Sequence, residues 1–378
     1  MKPDTEAALA DVIKSAKGPL CIQGGGTRGC AVPGDVVSTA ALSGISLYEP
    51  GALTIVAQAG TPLSEIEAAL AAENQRLAFE PTDYSKLLNT TGASTIGGVI
   101  AANISGARRI QGGAARDYAL GVRFVDGVGN IVKNGGRVMK NVTGYDLVKL
   151  MSGAYGTLGV LTEVSLKVLP VPETQGTLML RGLSDADAVR AMSRAMGSPY
   201  EVTGAVHCAK ITDDTPVTAL RVEGFEASVS YRLDALKTLL SDTGVDMHVA
   251  TTEMSDWFWG AVRELGKFTD VDGDVWRVSC KPSDASMLVE TANPVECVYD
   301  WAGGLLWMRT AEGTDLRHRL GTYDGHATLL RGTPSHDVPR FEPEAAGVAK
   351  ITAGLRERFD PRGILNAGLM GHAMTEVT

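Results

Sequence analysis

The chain has 378 residues, 44% hydrophobic and 21% charged, which is enough for two ordinary domains with a sizeable core and too apolar for a disordered chain. Lys and Arg number 35 against 44 Asp and Glu, a net charge of −9 that disfavours general binding to nucleic acid or to anionic membranes. Five scattered cysteines (21, 30, 208, 280 and 297) form no CxxC pair and no metal-finger spacing, and the N-terminus lacks the apolar core of a signal peptide, so free thiols in a cytoplasmic protein are expected.

Glycine is unusually common, at 44 residues, and 24 of them fall in residues 1–170. Histidine is absent before His207. The two halves therefore have different work to do.

In chain order, Leu9, Val12, Ile13 and Ala16 share one face of a helix predicted over 4–17. A short apolar strand at Leu20-Cys21-Ile22 runs into Gly24-Gly25-Gly26-Thr27-Arg28-Gly29. A strand at 53–57 ends at Gly60, and a helix follows to Asn74 with Thr61 expected as its N-cap and Pro62 at its first position. Residues 87–107 carry no charge, but their many hydroxyl and amide side chains and Gly97-Gly98 rule out a membrane span. Small side chains there point to close backbone approach to something buried. Residues 108–149 reverse the balance, with eight basic and three acidic side chains. That band is either a solvated face or an electrostatic site for phosphates, a carboxylate or an acidic partner.

A hairpin is predicted from 119–125 and 130–132, and the alternation of Val160, Thr162, Val164, Leu166 and Val168 is a strand ending at Pro170-Val171-Pro172. A domain boundary is placed there. Beyond it come a helix near 184–196, a strand over 217–225, a helix near 231–240 and a C-terminal helix over 345–359.

A strand ending in GGGTRG offers consecutive backbone N–H groups with no Cβ in the way, an arrangement that suits phosphate oxygens. Thr95-Ile96-Gly97-Gly98 would open a second such nest at a helix N-terminus. Neither loop is a GxGxxG fingerprint or a Walker loop. The alternative is a pair of tight turns.

The order of these segments carries a resemblance. GGGTRG at 24–29 is followed by Pro81-Thr82-Asp83, by Gly92-Ala93-Ser94-Thr95-Ile96-Gly97-Gly98, by Gly112–Asp117, by Lys140-Asn141-Val142-Thr143-Gly144-Tyr145-Asp146 and by Gly153–Glu163, with Leu365-Asn366-Ala367-Gly368 near the end. In this the chain resembles the vanillyl-alcohol-oxidase (PCMH-type) FAD-binding flavoproteins, and among them the FAD-binding subunits of bacterial glycolate oxidases. The resemblance implies an α+β fold, with a two-part FAD domain over 1–172 and 341–378 and a smaller α+β cap domain over 173–340. It implies that Gly24, Gly25, Gly26, Thr27, Arg28 and Gly29, with Ser94, Thr95, Gly97 and Gly98, hold the FAD pyrophosphate. Pro81, Thr82 and Val160 would contact the cofactor through backbone atoms, and Asn366 belongs to the segment that returns to the FAD domain.

Relatives with covalent flavin carry a His in the first glycine loop where this chain has Thr27, so the FAD is expected to be non-covalent, with Cys30 a nearby thiol rather than a link. The metal-type HxGDGNxH motif of catalytic 2-hydroxy-acid dehydrogenase subunits is absent. The implied activity is oxidation of glycolate or a similar 2-hydroxy acid, with electrons passing to an iron–sulfur subunit, in a complex where the missing metal motif points to a sister flavin subunit as the catalytic one. The resemblance places the chain in the cytoplasm, reaching the inner membrane only through partners. A free-standing FAD-dependent oxidoreductase and a non-catalytic flavin-fold scaffold are the alternatives.

Outside those loops, no metal site is expected: His318, His326 and His336 lie too far apart, and Asp270–Asp274 lacks the closing Glu of a calcium loop. The five tryptophans (257, 259, 276, 301 and 307) all follow the boundary, as core aromatics or as the lining of a pocket or interface. Arg277 is either a clamp for a substrate carboxylate or half of a structural ion pair.

Overall fold

Thr5 caps the helix Glu6–Ser15 by accepting from the Ala8 N–H, and Leu9, Ala10 and Ile13 turn inward. They meet Leu20, Val37, Val125, Val160 and Leu365, so one core joins the start, the middle and the end of the chain. The structure is a computed structural model that describes residues 1–137, 144–209, 215–335 and 337–371. Lys140, Asn141, Val142 and Thr143 of the motif series, and His336, lie outside the described residues.

The chain divides into two units. The first comprises residues 1–105, 114–171 and the stretch from Pro343 onward; the second comprises 106–113 and 172–342. Both are α+β.

In the first unit a five-stranded antiparallel sheet runs in the order Ile45–Glu49, Thr54–Gln58, Val160–Lys167, Ala119–Val125 and Ile131–Gly135. The pair Leu20–Gln23 and Asp35–Ser38 forms a separate parallel ribbon that delivers the first glycine loop. Leu365 adds a parallel bridge at Leu20. The helix after Gly60 is Leu63–Ala71, and Pro62, not Thr61, occupies its N-cap position. The Thr61 hydroxyl is committed elsewhere: it accepts from the Gly44 N–H at 2.9 Å and lies 2.7 Å from the Gln58 carbonyl.

The second unit is built on an eight-stranded antiparallel sheet. Its core contains Trp276, Tyr299, Leu306 and Met308 from the sheet, packed with Ala188 and Met192 of the helix Asp185–Met196 and Leu233 and Leu236 of the helix Glu226–Leu239. That second helix begins five residues before its predicted start, directly after the strand Val217–Gly224. Trp276, Trp307 and Trp259 are buried as core aromatics, whereas Trp257 is 57% exposed.

Much of the basic band is neutralised within the units. Arg108 pairs with Glu223, both buried, inside the second unit. Arg123 pairs with Glu6, and Lys149 lies 3.1 Å from Asp117, inside the first. Asp270 and Gly273 both have positive φ, so Asp270–Asp274 is a tight turn. Among the described residues, no group of three His, Cys, Asp or Glu side chains is placed to hold a metal ion.

Candidate functional site

The first glycine loop leaves its strand at Gln23 and lines a cleft in the first unit. Among the described residues, the backbone N–H groups of Gly24 to Gly29 donate to no protein acceptor. Gly26 and Gly29 adopt positive φ (72° and 62°), a region that glycine enters without steric cost. The loop is therefore an open row of donors.

The second loop is different. Ile96 N–H donates to Thr61 O at 3.0 Å and Gly97 N–H to Ala59 O at 2.8 Å, while Gly98 N–H is 3.3 Å from the Thr95 hydroxyl that caps its own helix. Those donors are already used, and the helix Ile96–Ala101 is only six residues long. Thr95, Gly97 and Gly98 line the cleft as a wall. Their glycines answer to packing: a Cβ on Gly97 would sit 2.6 Å from the Ala59 Cβ, one on Gly24 2.4 Å from Thr95 Oγ1, and one on Gly25 1.6 Å from the Ala93 carbonyl oxygen. The two loops are pressed together backbone against backbone.

Arg28 supplies the cation of the cleft. Its Nη2 donates to Ser94 Oγ at 2.9 Å and its guanidinium lies 5.2 Å from the centre of the Tyr84 ring. Its Nε and Nη1 are buried without a hydrogen-bond partner. Burial pushes its pKa below the ordinary arginine value, partly offset by Tyr84 and Asp83. A buried guanidinium with two idle donors beside an open row of N–H groups has the donor chemistry that a multiply charged oxyanion such as a pyrophosphate would require.

Asn366 closes the cleft from the C-terminal side. Its Oδ1 accepts from Ile22 N–H at 2.7 Å, its Nδ2 donates to Tyr155 O at 2.7 Å, and its own N–H donates to Leu20 O at 3.0 Å. It joins three segments, with one hydrogen bond at each of its side-chain amide atoms. Of the predicted residues, Gly24, Gly25, Gly26, Thr27, Arg28, Gly29, Thr95, Gly97, Gly98, Val160 and Asn366 line the cleft; Ser94 acts through Arg28, and Pro81 and Thr82 are buried away from the lining. Sequence reasoning missed Thr39, Met151 and Tyr155, which also line it. Tyr155 sits at φ 51° in the glycine-rich turn, a conformation that only the neighbouring glycines hinted at.

In the second unit, Arg277 forms no ion pair or side-chain hydrogen bond among the described residues. Its guanidinium carbon lies 5.1 Å from the centre of the Trp301 ring and 6.0 Å from that of Trp307. Neither ring contact uses an N–H group, so the guanidinium donors are uncommitted among the described residues. The structural ion pair that the sequence allowed is not present among the described residues.

Residues 1–135 match the family model described as an FAD binding domain, which makes the chain a flavoprotein of the FAD-binding class. The chain is 36% identical over 375 residues to the glycolate oxidase subunit GlcE of Escherichia coli, covering 97% of each chain. It is 44% identical over 101 residues to the glycolate oxidase subunit GlcD of Bacillus subtilis, but that match spans 27% of this chain and 21% of the relative. Among solved structures, alkyldihydroxyacetonephosphate synthase superposes over 97% of this chain and 76% of its own with a TM-score of 0.71 at 17% identity, which shows the shared fold. The chain belongs to the family of the glycolate oxidase subunit GlcE, within the FAD-dependent oxidoreductases. No helix among the described residues is long and apolar enough to cross a membrane.

Proposed function

We propose that the chain is the FAD-binding subunit of a glycolate oxidase-type complex that oxidises glycolate or a similar 2-hydroxy acid to the 2-oxo acid. The observation that carries this reading is the match along 97% of both chains to a protein named as a glycolate oxidase subunit. The cleft supports it. The N–H row of Gly24 to Gly29 and the two idle donors of Arg28 would hold the pyrophosphate, with Thr95, Gly97, Gly98 and Val160 as the opposing wall. Ser94 would keep Arg28 in place. With no His in the first loop, the FAD is read as non-covalently held.

When bound, FAD supplies the two-electron acceptor that 2-hydroxy-acid oxidation requires. The protein's own task is positional: Arg277, stacked and unpaired, would hold the substrate carboxylate through its free N–H edges. Electrons would leave through an iron–sulfur subunit, with a sister flavin subunit in the same assembly on the cytoplasmic side of the membrane.

The experiment is to purify the chain alone and with its co-expressed partners, release any flavin by acid precipitation, and add glycolate without oxygen. Released FAD and bleaching by glycolate in the complex support the reading. Turnover by the chain alone with a dye acceptor would favour a free-standing oxidoreductase, and a colourless protein that still binds its partners would favour a scaffold.

A further inference from the structure

The second unit holds a cavity of about 410 Å³ beneath the helix Thr252–Arg263, within the roughly 300–1,000 Å³ range of small-molecule pockets. Its walls are Trp257, Phe258, Phe268, Val298 and Trp307. Cys208 also lines it, and burial pushes that thiol up to about 12, so it is a protonated, apolar surface. The ammonium in the lining, Lys267, lies 3.8 Å from Glu296 and so already has a counter-charge.

The sheet connects this cavity to Arg277. Cys208 is registered opposite Val298, Val298 opposite Trp307, and Trp307 opposite Arg277. Directly opposed residues of an antiparallel ladder project to the same face. The floor of the cavity therefore continues, one strand further on, into a guanidinium that stacks on Trp301 and Trp307 and has no anionic partner among the described residues. Arg109 adds a second cation 5.8 Å from the Trp301 ring centre, also without an ion pair among the described residues. An apolar chamber, an indole and an unpaired cation stand in one row.

We propose that this row is a single ligand site that takes a carboxylate on Arg277 and an apolar side chain in the cavity, so that the chain prefers 2-hydroxy acids with a large aromatic or branched side chain over glycolate. The inference rests on the reading of Arg277 as the carboxylate clamp. Glycolate has no side chain and would leave the chamber unfilled. A phenyl group placed there removes apolar surface from water on both partners, an effect that discriminates substrates by about tenfold or more.

The test is calorimetric titration of the FAD-loaded protein with 3-phenyllactate, glycolate and 2-phenylethanol. Phenyllactate should bind at least about tenfold more tightly than glycolate, and phenylethanol, which lacks the carboxylate, should bind at least about tenfold more weakly than phenyllactate. Ala261→Trp, which fills the chamber, should bring the ratio of the two acids below about threefold; Ala261→Leu should reduce it in part, and serves if the larger substitution does not fold. Arg277→Met should weaken both acids by about tenfold or more. Equal affinities for the two acids in the unaltered protein, with both lost in Arg277→Met, would overturn the side-chain pocket and leave the carboxylate clamp standing. Arg277→Met binding both acids normally would overturn the clamp and the inference built on it.

Discussion

Substituting alanine at Gly25, Gly26 and Gly98 of the cleft, and at Gly92 packed against Gly25, separates packing from phosphate approach. A Cβ on Gly25 would stand 1.6 Å from the Ala93 carbonyl oxygen, and one on Gly92 would stand 1.7 Å from the Gly25 carbonyl oxygen, where real contacts stay above 3.0 Å. Backbone faces backbone at both positions, so the loops must part by about 1.4 Å. Moving N–H donors that far forfeits hydrogen bonds to a charged group worth about 1.5–3 kcal/mol each, so Gly25→Ala and Gly92→Ala should weaken FAD by about 10- to 100-fold or more and lower the melting temperature of the apoprotein. Gly26 has φ 72° but no atom closer than 3.9 Å to its would-be Cβ, so Gly26→Ala should cost only about 1–2 kcal/mol in backbone strain. Gly98 has ordinary φ and a nearest atom, Thr95 Oγ1, at 3.2 Å, so Gly98→Ala should bind FAD within about threefold of the parent. Flavin titration of the four apoproteins, read by quenching of free-flavin fluorescence, gives the order directly. If Gly98→Ala loses FAD as severely as Gly25→Ala, the second loop contacts the cofactor directly and the wall assignment is wrong.

Other substitutions probe the remaining parts. Arg28→Gln removes the charge but keeps a donor toward Ser94, and should weaken FAD by about 10- to 100-fold with little change in apoprotein stability, measured by the same titration and by thermal melting. Arg108→Met strands the buried Glu223 carboxylate, with Arg221 3.9 Å away as partial compensation, and should cost about 3 kcal/mol in denaturant unfolding. Adding Glu223→Leu should restore most of that loss. The Asp185 carboxyl is held below its ordinary pKa, first by its hydrogen bond to His207 and then by that from Tyr299, against the opposing effect of burial. A depressed carboxylate stabilises the fold above the ordinary value near pH 4, and that contribution is lost as pH falls through the lower native value. Asp185→Asn should therefore melt lower at neutral pH and show a shallower loss of stability on acidification, followed by melts between about pH 3 and 7.

Much of the frame was legible because local chemistry agrees with the tertiary fold. Thr5 and Ser184 cap the helices they precede, the alternation at 160–168 gives a strand buried on both sides, and the Ala119–Val125 hairpin closes as predicted. Thr61 misled because a hydroxyl before Pro reads as an N-cap, while the Gly44 loop, distant in sequence, claims it. The glycine loops were found, but not their division of labour. Whether an N–H is free depends on where Ala59 and Thr61 point their carbonyls, and a single sequence does not encode that visibly. The basic band was legible as charge and illegible as pairing, because Glu6 and Glu223 lie over a hundred residues away from Arg123 and Arg108. The row from Cys208 to Arg277 is a matter of strand register across four strands, which no local pattern states.

The most direct test of the account is the visible spectrum of the FAD-loaded protein, purified with its co-expressed partners, during anaerobic addition of a 2-hydroxy acid. The account predicts that the oxidised flavin bands bleach, and that Arg277→Met, with its FAD retained, bleaches at least about tenfold more slowly at limiting acid. A protein that holds stoichiometric FAD yet keeps its oxidised spectrum in the presence of glycolate and of 3-phenyllactate would contradict it.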